Sequence, residues 1–395
     1  MEVTGMRNRT KFTLSIIALA LSTSSALAQE DDTGFFAKAD TTIAHDDNIY
    51  RVTDDLAQSD HYLTVSPKLG ISGGYGKQRF YLTYDGEYTK FSEAKEADYY
   101  DHTVQARAVL DHNLRLKSRF EVGYSKEHED PGTINRIQLD ITEYNKYNQN
   151  YFLAGLTYGQ ASSIGQLTFN YRKTDRDHYS NNLDFLDHVN DQISGRFTYR
   201  VAPKTSLYIE ALVSDIDYTP PPGFTEIDSK FKLYKAGVSW DFTNKLSGDV
   251  NLGYQDRDYK AIVLQDVSGL AYDGKITWLI NSFTQVAAKA KRESVDSTLE
   301  DTGGFITTSF NIDVEHDLTA LLNVKAGLGY GKEEFVFNQN RQDKRLSYQL
   351  GIGFDVLRNL SLTANYIHQE RDSTLASAVF DSNVISIIAT FTFED

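Results

Sequence analysis

The chain has 395 residues, a formal net charge of -15, 25 Tyr, 22 Phe and 26 Gly, but only 6 Pro and 0 Cys. The acidic balance makes it a poor nucleic-acid binder, and the missing cysteines exclude disulfides, thiolate catalysis and Cys-ligated metals. Length alone would allow two or three soluble domains.

Residues 1–28 read as a cleaved secretory signal peptide. Arg7, Arg9 and Lys11 precede an apolar run at 12–21, and Ala26-Leu27-Ala28 forms a small-residue cleavage site. The run of about 10 residues is half of what a spanning helix needs. Met6 is a second candidate start. Removing 1–28 removes three basic residues and one acidic one, taking the charge from -15 to -17. No later stretch is long and apolar enough for a membrane helix.

From residue 29 onward the pattern is that of strands joined by alternating short and long connections. The first strand is expected at 35–50, followed by a polar loop around Asp54 and Asp55. Segments 61–72 and 80–91 flank a tight turn at 76–78, and 99–110 and 114–127 flank another at 111–113. A long polar connection follows at 129–145. Pairs are then expected at 147–159 with 165–174 and at 189–201 with 207–218, separated by a loop at 175–187. Three consecutive prolines, Pro220, Pro221 and Pro222, cannot continue a ladder and mark a further loop. The same unit repeats at 230–242 with 246–259, 270–279 with 284–293, 305–316 with 322–335, and 345–356 with 360–369. The last strand, 383–393, alternates Ile385, Ile387, Ala389, Phe391 and Phe393 with more polar residues. An aromatic near the end of a terminal strand resembles the closing strand of outer-membrane barrels, although Glu394 and Asp395 follow it here.

These segments number 18, with 16 as the alternative if the first hairpin lies inside or outside the wall. Their faces differ in kind. At 345–356 one face is Leu346, Tyr348, Leu350, Ile352, Phe354 and Val356; the other is Arg345, Ser347, Gln349, Gly351, Gly353 and Asp355. The same split runs through 114–124 and 246–257. A barrel of that many strands is too wide for side chains to fill. The polar face therefore lines a wet lumen and the apolar face meets lipid. Closure follows, because an open edge in hydrocarbon leaves backbone groups unpaired. The expected fold is an all-β, single closed antiparallel transmembrane barrel occupying 29–395, with short periplasmic turns and longer extracellular loops. Tyr84, Tyr88, Tyr124, Tyr330, Tyr366 and Trp278 suit girdles at the membrane interfaces.

Residues expected to line the lumen are Arg107, Arg115, Lys117, Arg119, Glu121, Arg172, Arg196, Arg200, Glu210, Lys235, Asp249, Lys275, Lys289, Asp313, Lys325 and Arg345. Opposed charges across strands stabilise such a wall, and Arg and Lys could also meet anionic sugars. The mixture argues against strong ion selectivity. Tyr81 and Tyr208 are expected to turn inward, where they could stack on sugar rings or pack within the wall.

Residues 45–51 (His-Asp-Asp-Asn-Ile-Tyr-Arg), the hairpin at 238–247 and the passage at 366–373 resemble the putative β-barrel porin type 2 family, over nearly the whole mature chain. The resemblance implies association with exopolysaccharide or capsule export, and it brings no catalytic residues. No HExxH motif occurs. The Asp-His neighbours at 101–102, 111–112, 177–178 and 187–188 are expected to be solvated turn residues. Asp177, Asp184, Asp187 and Asp191 are expected to form a solvated acidic loop, with Ca²⁺ binding as the alternative.

No catalytic residue, metal site or cofactor is assigned. The expected function is a porin-like conduit for exopolysaccharide in the outer membrane of a Gram-negative bacterium. A general diffusion porin, a non-conducting scaffold barrel and an envelope enzyme are the alternatives. Expected partners are outer-membrane lipid and lipopolysaccharide, the transported polysaccharide or other hydrophilic solute, and periplasmic export components, with no nucleic acid.

Overall fold

A computed structural model describes residues 34–132, 143–160, 162–221, 223, 225, 227–243, 245–296, 303–336 and 341–394. The leader expected at 1–28 lies outside them. Period-two alternation is realised as eighteen strands: β1 Gly34–Asp46, β2 Asp60–Tyr75, β3 Gln78–Phe91, β4 Tyr99–Asp111, β5 Leu116–His128, β6 Lys146–Tyr158, β7 Gly165–His178, β8 His188–Ala202 and β9 Thr205–Tyr218. The second half continues with β10 Ser229–Thr243, β11 Leu246–Tyr259, β12 Val267–Leu279, β13 Thr284–Asp296, β14 Gly304–Asp317, β15 Leu322–Phe335, β16 Gln342–Leu357, β17 Leu360–Ser373 and β18 Phe380–Glu394.

Each strand pairs antiparallel with its neighbours in sequence, and β1 also pairs with β18, with Thr42 opposite Ile388. The sheet therefore has no free edge. The count is 18, and the alternative of 16 is set aside. Among the described residues no helix is long and apolar enough to cross a membrane; the helical pieces are three short 3-10 turns.

The two faces separate as the alternation requires. Leu350, Ile352 and Phe354 on β16 and Ile385 and Ile387 on β18 are between 45% and 60% exposed, forming an apolar outer belt. Tyr124 and Tyr330 sit on that face toward the long-loop end and Trp278 toward the short-turn end, again exposed. Tyr84 and Tyr366 hydrogen-bond Tyr88 and Asn383 at 2.8 and 2.7 Å, so the girdle satisfies its own hydroxyls.

The first strand is shorter than expected. β1 ends at Asp46, and residues 47–59 fold back onto the inner face as a loop. There Ile49 and Tyr50 bury themselves with Phe91, Ala94, Ala97 and Tyr144, and Val52, Tyr62 and Tyr99 pack on the outside of the cluster. The long-loop end of the lumen is thus partly filled by apolar side chains. Smaller dry clusters form at the same end of other strands, from Ile216, Tyr218, Ile227 and Leu264, and from Phe305 and Phe335.

Candidate functional site

The inner wall is built in cross-strand rows. One row runs Tyr81, Arg107, Glu121, Leu153, Arg172 and Gln192 across β3 to β8. The next, nearer the short turns, includes Arg119, Gly155, Asn170 and Ser194. Directly paired residues share a face, so the register alone places these side chains together.

Arginines on this wall lie over tyrosine rings. The guanidinium of Arg107 sits 4.4 Å from the centre of Tyr81, that of Arg172 4.5 Å from Tyr151, and that of Arg196 3.5 Å from Tyr208. Stacking of this kind fixes a flexible cation against a rigid platform. Tyr208 is only 4% exposed and donates its hydroxyl to Asp249 at 2.5 Å. Its ring is covered by Arg196, so it packs within the wall and offers no face to a sugar.

Most of the remaining expected wall residues fall into ion pairs. Arg119 meets Glu121 at 2.8 Å, Lys117 meets Asp111 at 3.4 Å, and Lys325 meets Glu315 at 3.4 Å. Arg196 reaches Glu210 at 3.7 Å and Asp249 at 3.5 Å, while Lys235 reaches Glu210 at 3.3 Å. Arg345 pairs with Glu333 at 3.1 Å. Lys275 stands between Asp249 and Lys289 in register, and Asp313 lies opposite Gly327. Two residues depart from expectation. Arg115 lies in the turn before β5 and is exposed there, because the tight reversal at Asn113, whose side chain accepts from the Arg115 N–H at 2.9 Å, takes it out of the alternating wall. Arg200, near the end of β8, donates to the Ser162 carbonyl at 2.8 Å and belongs to the short-turn rim.

Sequence reading missed the contacts that hold the inward loop. Arg51 donates to both Asp46 carboxylate oxygens, at 3.0 and 2.8 Å, and to Gln369 on β17 at 3.2 Å. Ser382 on β18 donates to Asp46 at 3.0 Å, and the Tyr144 hydroxyl donates to the Ile49 carbonyl at 3.0 Å. Arg371 donates to the Gly132 carbonyl at 3.2 Å. The available signal was the 45–51 stretch, whose polar residues break the alternation.

The histidines of the Asp-His neighbours, apart from the exposed His112, are less solvated than expected. His128 bonds Asp101 at 2.7 Å while its ring stacks 3.8 Å from Tyr99, and His178, 5% exposed, lies 3.2 Å from Asp187. Burial pushes the Asp187 carboxyl up from its ordinary range, against the His178 N–H that it accepts. In the loop after β11, hydrogen bonds from Lys260 to Asp217 and Asp228 hold its ammonium above its usual range. Among the described residues no group of three His, Asp or Glu is arranged to hold a metal.

A closed barrel with an apolar outer belt, aromatic interfaces and an ion-paired inner wall is an outer-membrane β-barrel of the porin type. The chain belongs to the putative beta-barrel porin 2 family, whose model matches residues 35–393. No curated protein matches it significantly. Solved structures share the fold at low identity. The apoprotein form of the FrpB iron transporter of Neisseria meningitidis is similar at 10% identity with a TM-score of 0.54; the match covers 87% of this chain and 62% of that one, so the chain spans under two thirds of that transporter. OpdO of Pseudomonas aeruginosa is 13% identical with a TM-score of 0.52, covering 92% of this chain and 97% of its own. OccK2 (OpdF) of the same organism, solved in complex with glucuronate, is 10% identical with a TM-score of 0.50, covering 92% and 98%.

Proposed function

We propose that the chain, after loss of residues 1–28, forms a hydrophilic conduit through the outer membrane, with the arginine, lysine and acidic residues of the inner wall lining the path. The observation that carries this is the separation of faces. Cross-strand ion pairs such as Lys235–Glu210 and Arg119–Glu121 occupy one side of the sheet. An apolar belt including Leu350 and Ile385 occupies the other. A wall of matched charges has no use against lipid, where each ion costs several kcal/mol, and it stays hydrated against a lumen.

The inward loop 47–59 favours small hydrophilic solutes over an always-open route for polymer. It covers part of the mouth beside β1 to β6, and its contacts with Gln369 and the Asp381 carbonyl reach strands on the far side of the seam. The similarly folded OccK2 was solved in complex with glucuronate, a small hydrophilic solute of the class proposed here.

The test is conductance of the refolded protein in planar bilayers, with swelling of proteoliposomes in sugars of graded size. Discrete channels and faster swelling with monosaccharides than with large oligosaccharides are expected. Absence of both leaves a plugged scaffold barrel. Export of exopolysaccharide, which the 45–51 passage and its family resemblance support, is the second reading. It requires the loop to swing aside and periplasmic components to feed the chain. A deletion strain that keeps intracellular polymer but loses surface polymer favours export; one that loses only small-solute uptake favours the general channel.

A further inference from the structure

The charges on the inner wall are not evenly spread. On β4 to β7, two adjacent rows carry three guanidiniums, Arg107, Arg119 and Arg172, against one carboxylate, Glu121, which is 4% exposed. Nine strands further round, at mid-wall, β14 to β16 present Asn311, Gly329 and Ser347 in one row and Asp313, Gly327 and Gln349 in the next, with no guanidinium in either. Resting on the proposed conduit, we infer that the arginine arc is a binding station for carboxylated sugars.

The geometry favours carboxylate recognition. Guanidinium forks match carboxylates in a bidentate, planar arrangement. Arg107 and Arg172 are seated over the rings of Tyr81 and Tyr151, so less side-chain freedom is lost when a ligand binds. Arg119 is held by Glu121 at 2.8 Å. Amide and hydroxyl groups follow in the same rows: Gln192 is in register with Arg172, and Asn170 donates to Ser194 at 3.4 Å. These suit sugar hydroxyls. Three strand spacings separate Arg107 from Arg172, about 14 Å along the wall at about 4.8 Å per strand. That span accommodates successive uronic acid units, each meeting its own guanidinium.

The experiment uses the full mature barrel in planar bilayers, with sodium glucuronate as probe, glucose as the neutral control, and a short oligogalacturonide. Expected are transient current blocks by glucuronate and longer ones by the oligomer, with none from glucose. Replacing both Arg107→Gln and Arg172→Gln should weaken the block about tenfold, the effect of losing about 1.4 kcal/mol of binding. Lys344→Gln, on the outer face, should leave it unchanged.

Channels that block equally with glucose, or that keep full glucuronate block in the double variant, overturn the inference while sparing the conduit. If no variant conducts, the conduit itself fails, and calorimetric titration of glucuronate into the folded barrel still decides the station: binding lost in the double variant supports it, and no binding to the parent overturns it. Heat-modifiable migration on gels confirms that each variant is folded. Should the double variant not fold, Arg172→Lys, which keeps the charge but loses the fork, replaces it; an unchanged block there again overturns the inference.

Discussion

The ring of Tyr151 lies across the backbone of Gly123 on the neighbouring strand, so close that a methyl group at Gly123 would meet the ring Cε1 at 2.2 Å and Cζ at 2.7 Å. Tyr208 covers Gly237 in the same way, at 2.4 Å from Cζ. On this wall the glycine is a socket and the tyrosine fills it, which in turn seats Arg172 above Tyr151. Gly123→Ala should destabilise the barrel by about 1–3 kcal/mol, the cost of overpacking. Adding Tyr151→Ala should recover part of that loss, because the methyl then has room. Urea titrations of the refolded single and double variants measure the coupling, and a neutral Gly123→Ala would show that the ring moves aside freely.

The Asp46–Arg51 pair should act as the latch of the inward loop. Its side chains are 6% and 12% exposed, and removing one partner of a buried pair costs about 3–5 kcal/mol. The cost here falls on a loop, so the expected result is local release. Trypsin should cut after Arg51 in Asp46→Ala and spare the parent protein, and the single-channel conductance of the variant should rise. Equal protease resistance in both would mean that the apolar cluster around Ile49 holds the loop without the latch.

Leu350 is 57% exposed near the middle of β16, on the lipid side. Leu350→Arg should cost about 2–4 kcal/mol, the midplane penalty for a cation. Gln349→Arg, one residue away on the inner face, should cost far less. Gly351→Arg also points inward but must push aside Asn365, whose Oδ1 would lie 2.5 Å from the new Cβ. Similar midpoints for the Leu350 and Gln349 variants on refolding into vesicles would reverse the assignment of faces.

Asp343 is 0% exposed and accepts three bonds: from Arg341 Nη2 at 2.7 Å, Arg341 Nε at 3.1 Å and the Ser373 hydroxyl at 2.6 Å. Asp343→Ala leaves the buried Arg341 without its carboxylate and should cost about 3–5 kcal/mol. Asp343→Asn keeps the shape and one acceptor and should cost less. Denaturant midpoints for the two variants check the order, and a harmless Asp343→Ala would mean that water replaces the carboxylate.

Strand number and facing were legible because a period-two pattern repeated over segments long enough to cross a bilayer admits few other folds. The exceptions have local causes. Ile49 and Tyr50 fall inside the expected first strand, yet they leave the sheet because Phe91 and Tyr144 give them a dry cluster. Arg115 follows the alternation of β5 but falls in its turn. Lumen residues could be named from parity, whereas their partners could not. The bond between Arg51 and Gln369 joins positions 318 apart in sequence, and only the closed ring brings them together. The stacking of Arg196 on Tyr208 likewise depends on neighbouring strands, which a single-strand pattern does not report.

The seam between β1 and β18 sets a temporal requirement. Ala37 pairs with Phe393 and Ile43 with Ile387, so the first strand to emerge waits for the last before its second ladder can form. Until then the growing sheet carries two unsatisfied rims, each able to capture a stray strand. Contacts of such large separation are slow to find by chance. A nearly complete sheet that lacks only its final strand therefore still exposes both rims, on β1 and on β17.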